Sequence, residues 1–261
     1  MISRMDCELN NENIYGEIVL PDNFEGKLPM VILSHGLTAT HDRMKDCAKL
    51  LEGYGIASYI FDFRGGSYES SSDGLVEDMT VSSEVDDLNA VFDMVKGLSF
   101  VDKDNLYLLG HSQGGLVSAL VANNRVCEVK GLFLVSPAFI IPEISNELRI
   151  FSKSDKDDLK LYNSSSISDW WFSEGKDFLG DDYLVDSGNI SLFDDVVGFN
   201  KHVCIFHGID DMIVPLSYII CANDAYSDCE LIVLNDESHL FTSEGEEIIV
   251  KKVSDVIKND L

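Results

Sequence analysis

The sequence predicts an α/β fold with a mostly parallel central sheet and helices on both faces. Short runs rich in β-branched and aromatic residues recur along the chain, and helical spacing appears between most of them. These runs are apolar on both faces, as in a parallel sheet that is covered on each side. The length of 261 residues fits one domain, 1–261.

The predicted strands and helices alternate in order along most of the chain. The sheet is expected to begin with a strand near residues 14–20. Further strands are predicted within residues 30–36, 56–66, 106–112, 130–138, 202–211 and 230–239. Helical spacing covers residues 42–55, 83–98, 112–124 and 243–258, with N-caps expected at Asp42, Ser83 and Ser243.

Residues 139–200 interrupt this alternation. The segment is polar, yet it contains both tryptophans of the chain, Trp170 and Trp171. A structureless loop of that length is unusual inside a compact domain. We therefore expect a small helical cap over residues 139–200, inserted between two strands of the domain.

Charge excludes some classes of partner. The chain has 46 acidic and 19 basic residues, for a formal net charge of −27. Such a charge repels nucleic acid and anionic membrane surfaces, so neither is expected as a partner. No stretch is apolar enough for a signal peptide or a membrane span, which predicts a cytoplasmic protein. The oligomeric state is not determined, and a homodimer is compatible with the composition.

Cysteine and glycine patterns give no sign of a metal or a cofactor. The six cysteines contain no CxxC pair, which favours reduced thiols over disulfides or metal ligands. The histidines and acids do not form HExxH or a related ligand spacing. The GxGxxG fingerprint of dinucleotide-binding proteins is missing as well. We therefore expect neither a metal site nor a cofactor.

Ser112 is the candidate nucleophile. It is the central residue of Gly110-His111-Ser112-Gln113-Gly114, which follows a predicted strand and opens a predicted helix. A strand that turns directly into a helix forces the residue between them into strained backbone geometry, and flanking glycines avoid side-chain collisions there. The turn lifts the serine hydroxyl clear of the sheet.

A serine nucleophile needs a base and an orienting carboxylate. Among the histidines, His239 follows the last predicted strand and precedes the final helix, which places it at the same edge of the sheet as Ser112. Asp210 and Asp211 both follow the strand predicted within residues 202–211. On the residues alone, either aspartate is compatible with the role.

The oxyanion of an acyl-transfer reaction needs two preorganised donors. The amide of Gln113, directly after the nucleophile, is one candidate. The amide of Leu37 is the other, because Gly36 lets that loop approach closely. His35 is expected to brace this loop as a structural residue.

Together these residues resemble the α/β-hydrolase superfamily, whose members carry the serine, the acid and the histidine in this order. The resemblance implies an α/β-hydrolase fold and covers about residues 14–258. The family pattern H-G-x-x-D-x-x-V-P matches the chain from His207 to Pro215 and selects Asp211 as the acid.

Within the superfamily, residues 34–42, 61–66, 108–115 and 134–144 look most like bacterial cinnamoyl and feruloyl esterases and lysophospholipase-like relatives. The resemblance implies a small-molecule ester substrate, an acyl-enzyme, and a cap in which Trp170, Trp171 and Tyr183 lie near the acyl pocket. Residues 64–74 depart from the R-G-H-G-x-S-x-G pattern of relatives. A serine aminopeptidase, thioesterase or acyltransferase would use the same triad, and a binding protein without activity is the remaining alternative.

Overall fold

The computed structural model describes residues 1–152 and 179–260, so Trp170 and Trp171 lie outside the described residues. In these residues eight strands form one sheet, in the order β1-β4-β6-β5-β7-β8-β9-β10, and β2 and β3 form a separate hairpin. The strands are β1 (Ile2–Arg4), β2 (Cys7–Leu9), β3 (Glu12–Ile14), β4 (Gly16–Val19), β5 (Leu28–Ser34), β6 (Ala57–Phe61), β7 (Val101–His111), β8 (Gly131–Val135), β9 (Val203–Gly208) and β10 (Cys229–Leu234).

The sheet is mostly parallel, which confirms the predicted fold class. All pairs from β6 to β10 are parallel, whereas β1–β4 and β4–β6 are antiparallel. The expected first strand was wrong in detail. The sheet begins at Ile2–Arg4, and the segment near residues 14–20 is divided between the hairpin and β4. The edge strand β1 is three residues long and fully exposed, so it carries no hydrophobic alternation to reveal it.

The helices alternate with the strands in the described residues. They are α1 (Lys45–Gly53), α2 (Val81–Lys96), α3 (Gln113–Asn124), α4 (Ile141–Ser152), α5 (Asp181–Ser187), α6 (Leu216–Ala225) and α7 (Ser243–Asp260). No helix among these residues is long and apolar enough to cross a bilayer.

The three predicted N-caps were misplaced. Thr80 caps α2, and Ser83 is the reciprocal partner of its capping box, with the Ser83 amide donating to the Thr80 hydroxyl at 3.0 Å. The Gly245 amide donates to the Thr242 hydroxyl at the start of α7, so Ser243 is already helical. Asp42 lies in a 3₁₀ turn before α1. Several polar residues precede each helix, and spacing alone does not choose among them.

Two apolar clusters cover the two faces of the sheet. All residues of β5, β6, β8 and β9 are buried. Side chains of α2, α3 and α6 pack on one face, and those of α1 and α7 pack on the other. Strands that are buried on both faces explain the continuous apolar runs of the sequence.

Two described helices, α4 and α5, lie between β8 and β9 in the chain, within the predicted cap. They contact each other, and the Ser145 and Ser187 hydroxyls are 2.8 Å apart. The cap over residues 139–200 stays a prediction, because much of it lies outside the described residues.

Candidate active site

The candidate site lies at the carboxyl edge of the parallel strands. Ser112 follows β7, Asp211 follows β9, and His239 follows β10. Carboxyl ends of neighbouring parallel strands share one edge, where open α/β sheets bind their ligands. The fold therefore brings together three side chains that are far apart in the sequence.

Ser112 occupies the sharp turn between β7 and α3. Its backbone has φ 55° and ψ −122°, a conformation that residues other than glycine seldom adopt. A Cβ atom on Gly110 would lie 2.2 Å from the Gly114 carbonyl oxygen, and one on Gly114 would lie 2.3 Å from the His35 carbonyl oxygen. Side chains at these two positions would collide with backbone, so the glycines permit the turn.

Ser112, His239 and Asp211 form one hydrogen-bonded chain. The Ser112 Oγ is 2.9 Å from His239 Nε2, and His239 Nδ1 is 2.8 Å from Asp211 Oδ2. The other carboxylate oxygen of Asp211 accepts the amides of Ile213 and Val214 at 2.8 and 2.9 Å. These bonds hold the carboxylate in one orientation and leave Oδ2 for the imidazole.

The surroundings of Asp211 keep it ionised. Its side chain is fully buried, and burial by itself raises the pKa of a carboxyl group. The hydrogen bond from His239, its charge and the two amides outweigh that effect, so the pKa of Asp211 is lowered. Asp210, the alternative that the residues alone left open, is exposed and lies outside this hydrogen-bonded chain.

Leu37 and Gln113, whose amides are the expected oxyanion donors, line the same cavity as Ser112. Gln113 is the first residue of α3, so its amide is among the helix N-terminal amides that have no acceptor within the helix. Leu37 follows Gly36, where a Cβ atom would approach the Ser112 Cβ to 2.9 Å. Buried His35 lies within hydrogen-bonding distance of the Gly36 carbonyl and of the Phe63 amide, a geometry that fits the bracing role expected for it.

A cavity of about 250 Å³ opens at Ser112. Most of its wall is aliphatic, and the charged or ionisable groups among its lining residues are Arg43, His111 and His239. Arg43 is paired with Glu246 at 2.7 Å. The aliphatic lining residues are Leu37, Ala39, Ala138, Ile140, Ile141, Ile144, Ile213, Val214 and Leu240.

His111 has a structural contact that sequence reasoning missed. Its ring is buried, and Nε2 donates to the carbonyl oxygen of His239 at 2.9 Å. Burial lowers the pKa of His111 to about 3, so the ring is neutral. The residue before the serine therefore holds the backbone of His239. Adjacency to Ser112 was the sequence signal available for this role.

The side chain of Gln113 is held by hydrogen bonds to two buried residues. The Gln113 side-chain amide donates to Glu84 at 2.8 Å, and the Tyr183 hydroxyl donates to the Gln113 side-chain oxygen at 2.5 Å. Burial raises the pKa of Glu84 to about 8. Tyr183 is fully buried and is not among the described residues that line the cavity. Tyr183 thus contacts the residue directly after Ser112, and the acyl-pocket contact expected for it from the sequence stays a prediction.

The sequence matches a protein family model and a curated relative over part of its length. The family model "Serine aminopeptidase, S33" matches residues 27–165. Monoglyceride lipase of Mus musculus is 27% identical over 128 residues, which cover 47% of this chain and 40% of the lipase. The chain therefore matches less than half of the length of this curated relative.

Solved structures match over almost the whole chain. Est1E from Butyrivibrio proteoclasticus, solved with ferulic acid bound, is 26% identical with a TM-score of 0.79, covering 98% of this chain and 96% of Est1E. Mouse alpha/beta hydrolase domain-containing protein 10 has a TM-score of 0.79 over 99% of this chain and 100% of its own length. At 17% identity, the second likeness concerns the fold alone.

Proposed function

The chain belongs to the serine aminopeptidase S33 family of α/β-hydrolases, and from this premise we propose that it is a serine carboxylic-ester hydrolase. The observation that carries the proposal is the hydrogen-bonded chain from Ser112 through His239 to Asp211. A base within 2.9 Å of a serine hydroxyl, held by a buried carboxylate, is the arrangement that activates a nucleophile.

In the proposed reaction, His239 takes the proton of Ser112 as the serine oxygen bonds to the ester carbonyl carbon. The carbonyl oxygen becomes an oxyanion, which the amides of Leu37 and Gln113 would stabilise. The protonated His239 then returns the proton to the departing alkoxide, leaving an acyl-enzyme. Water gives a proton to the same histidine as its oxygen bonds to the acyl carbon. The bond to Ser112 Oγ then breaks, the carboxylic acid leaves, and His239 returns the proton to the serine oxygen.

The part of the cavity wall formed by the described residues favours a neutral ester over the amino terminus of a peptide. An aminopeptidase has to bind a charged α-amino group, which calls for a nearby carboxylate. The described residues that line the cavity include no carboxylate, and Arg43, the cation among them, is already paired with Glu246. A thioesterase or an acyltransferase remains compatible with the same triad, because these enzymes differ in the leaving group or in the final acceptor.

We propose a small-molecule ester with an apolar acyl group as the substrate. Est1E binds ferulic acid, which supports a hydroxycinnamoyl ester as the first candidate. The aliphatic wall that includes Ile140, Ile144 and Ile213 favours a second candidate, an alkyl acyl ester. The high negative charge argues against nucleic acid or an anionic membrane as a partner.

Labelling with a fluorophosphonate probe tests the proposal. We expect the wild-type protein to be labelled at Ser112, and the Ser112→Ala variant to remain unlabelled while melting at the wild-type temperature. A panel of p-nitrophenyl alkanoates, methyl ferulate and an aminoacyl p-nitroanilide then compares the substrate classes. An unlabelled wild-type protein, or turnover of the anilide alone, would contradict a serine esterase.

A further inference from the structure

Four potential metal ligands share one face of the sheet at its amino edge, opposite to the candidate active site. Cys204 on β9 is the register partner of Glu230 on β10. His202 and Asp228 each precede these residues by two positions, and side chains two apart in a strand point to the same face. Strand pairing therefore collects residues from two separate parts of the chain.

The distances within this cluster suit a small divalent cation. One ligand atom each of His202, Cys204 and Glu230 can be chosen so that all three lie within 4.8 Å of one another. His202 Nε2 is 3.3 Å from Cys204 Sγ. Tetrahedral zinc, with bonds of about 2.3 Å to sulfur and about 2.0–2.1 Å to nitrogen, places these two ligand atoms about 3.5 Å apart. Small side-chain movements would close the site.

Asp228 lies where a carboxylate can accept a hydrogen bond from the second ring nitrogen of His202. Its carboxylate is 3.2 Å from His202 Nδ1, the ring nitrogen that faces away from Cys204. Histidine ligands of metals usually donate this second N–H to a carboxylate, which fixes the tautomer and the ring orientation. His202 thus has its Nε2 lone pair available on the side of Cys204 and Glu230.

We propose that His202, Cys204 and Glu230 bind Zn²⁺, with water as the fourth ligand and Asp228 orienting His202. Imidazole, thiolate and carboxylate are the ligand types that zinc accepts in proteins. His202 is partly exposed and provides the entry path. The Cys204 thiol would release its proton to solvent on binding.

Lys252 on α7 is the competing cation at this cluster. Its amino group is 2.7 Å from Glu230 Oε2, so in the metal-free protein it neutralises the carboxylate. A carboxylate has two oxygens, and the second remains available to a metal while the first keeps its ion pair. The metal would join β9 to β10 at the end of the sheet remote from Ser112, which predicts an effect on stability without a direct effect on the triad.

Titration of the 261-residue chain with Zn²⁺ by calorimetry, and with Co²⁺ by absorption spectroscopy, tests this site. We expect one Zn²⁺ per chain, a higher melting temperature with Zn²⁺, and a sulfur-to-cobalt charge-transfer band. Cys204→Ser should abolish the band, and His202→Gln should weaken binding at least tenfold. Asp228→Asn should weaken binding about 10- to 100-fold. Lys252→Met should tighten it.

Cys229→Ser is the matched control, because Cys229 is the neighbouring cysteine on β10 and packs against the other face of the sheet. This variant should keep the band and the wild-type affinity. Should Cys204→Ser fail to fold, the partly exposed His202→Gln provides the same test. The proposal is overturned if excess Co²⁺ produces no charge-transfer band, or if His202→Gln binds Zn²⁺ as tightly as the wild type.

Discussion

Among the described residues, two buried aspartates at the carboxyl edge of the sheet are each hydrogen-bonded to a histidine ring, at almost the same distance. In one pair His239 Nδ1 is 2.8 Å from Asp211, and in the other His41 Nδ1 is 2.7 Å from Asp62. The pairs differ at the far nitrogen of the ring. His239 Nε2 faces the Ser112 hydroxyl at 2.9 Å, whereas His41 Nε2 lies between carboxylates.

The carboxylates near His41 are Glu17 and Asp42, at 3.8 and 3.5 Å from Nε2. Burial lowers the pKa of His41, but the hydrogen bond and charge of Asp62 outweigh it, so the pKa is raised. The charged form of this ring is therefore favoured, and its Nε2 faces carboxylates instead of a hydroxyl among the described residues. A buried aspartate next to a histidine therefore does not by itself make that histidine a candidate base. The group at the other ring nitrogen decides whether there is a proton for the ring to accept.

Asp62 also differs from Asp211 in the backbone amides that its carboxylate accepts. It accepts the amide of His41 at 2.6 Å and the amide of Ser71 at 2.8 Å. These amides belong to the loops after β5 and β6, and both loops lie at the carboxyl edge of the sheet. The Asp62–His41 pair therefore braces the loops, including the segment that departs from the pattern of related esterases.

The largest expected effect comes from removing the group that distinguishes the two pairs. Ser112→Ala leaves His239 with no hydroxyl to activate, as in the His41 pair. We expect kcat for an ester substrate to fall by about 10⁶-fold, with the melting temperature unchanged. Steady-state assays on protein free of contaminating esterases check this result. Substantial residual turnover would show that another residue is the nucleophile.

Asp211→Asn should have the next largest effect on activity. An amide in place of the carboxylate favours the wrong tautomer of His239, and a loss of roughly 10⁴-fold in kcat is expected. Asp210→Asn is the matched control, because the exposed Asp210 should leave kcat close to wild type. Equal losses in the two variants would contradict the assignment of Asp211.

Asp62→Asn should lower stability more than activity, which is the opposite of the effect expected for Asp211→Asn. Breaking a buried ion pair costs roughly 3–5 kcal/mol of unfolding free energy, because a charge is left without its partner. We expect a clearly lower urea midpoint, together with a smaller loss of kcat than in Asp211→Asn. A triad-like loss of activity at wild-type stability would mean that the His41 pair acts in catalysis.

The raised pKa of His41 predicts a pH dependence of stability. A group whose pKa is raised on folding contributes stability that is fully present below its unfolded value of 6.5 and is lost as pH rises through the folded value. Urea unfolding measured at about pH 6 and about pH 9 should show this fall in the wild type. The fall should be smaller in His41→Gln, and an equal fall in both proteins would refute it.

The smallest expected effect concerns Tyr183, which contacts Gln113 at the turn after Ser112 and does not contact His239. Tyr183→Phe removes the hydrogen bond to the Gln113 side chain and should cost about 1 kcal/mol of unfolding free energy. Because Tyr183 is not among the described residues that line the cavity, the ratio of kcat/KM for a cinnamoyl and an acetyl ester should stay within about twofold of wild type. A larger change would place Tyr183 in contact with the acyl group.

Local patterns predicted the parts of this protein that depend on neighbouring residues. The buried strands appear as continuous apolar runs, and the two glycines around Ser112 mark a turn that side chains would obstruct. His239 could be predicted as well, since parallel strands place their carboxyl ends at one edge. The choice of Asp211 over Asp210 needed the family pattern, because both residues follow the same strand.

The sequence by itself determined the fold class and the residues available at the carboxyl edge, because strand periodicity and turn chemistry act over a few residues. Tertiary structure decided which aspartate–histidine pair faces a hydroxyl. Ser112 and His239 come close together because the order of strands places the ends of β7 and β10 at the same edge of the sheet. Tertiary structure also directed Tyr183 towards Gln113, and strand register brought Cys204 opposite Glu230. Contacts between distant segments depend on how strands and helices pack, and no short stretch of sequence encodes that packing.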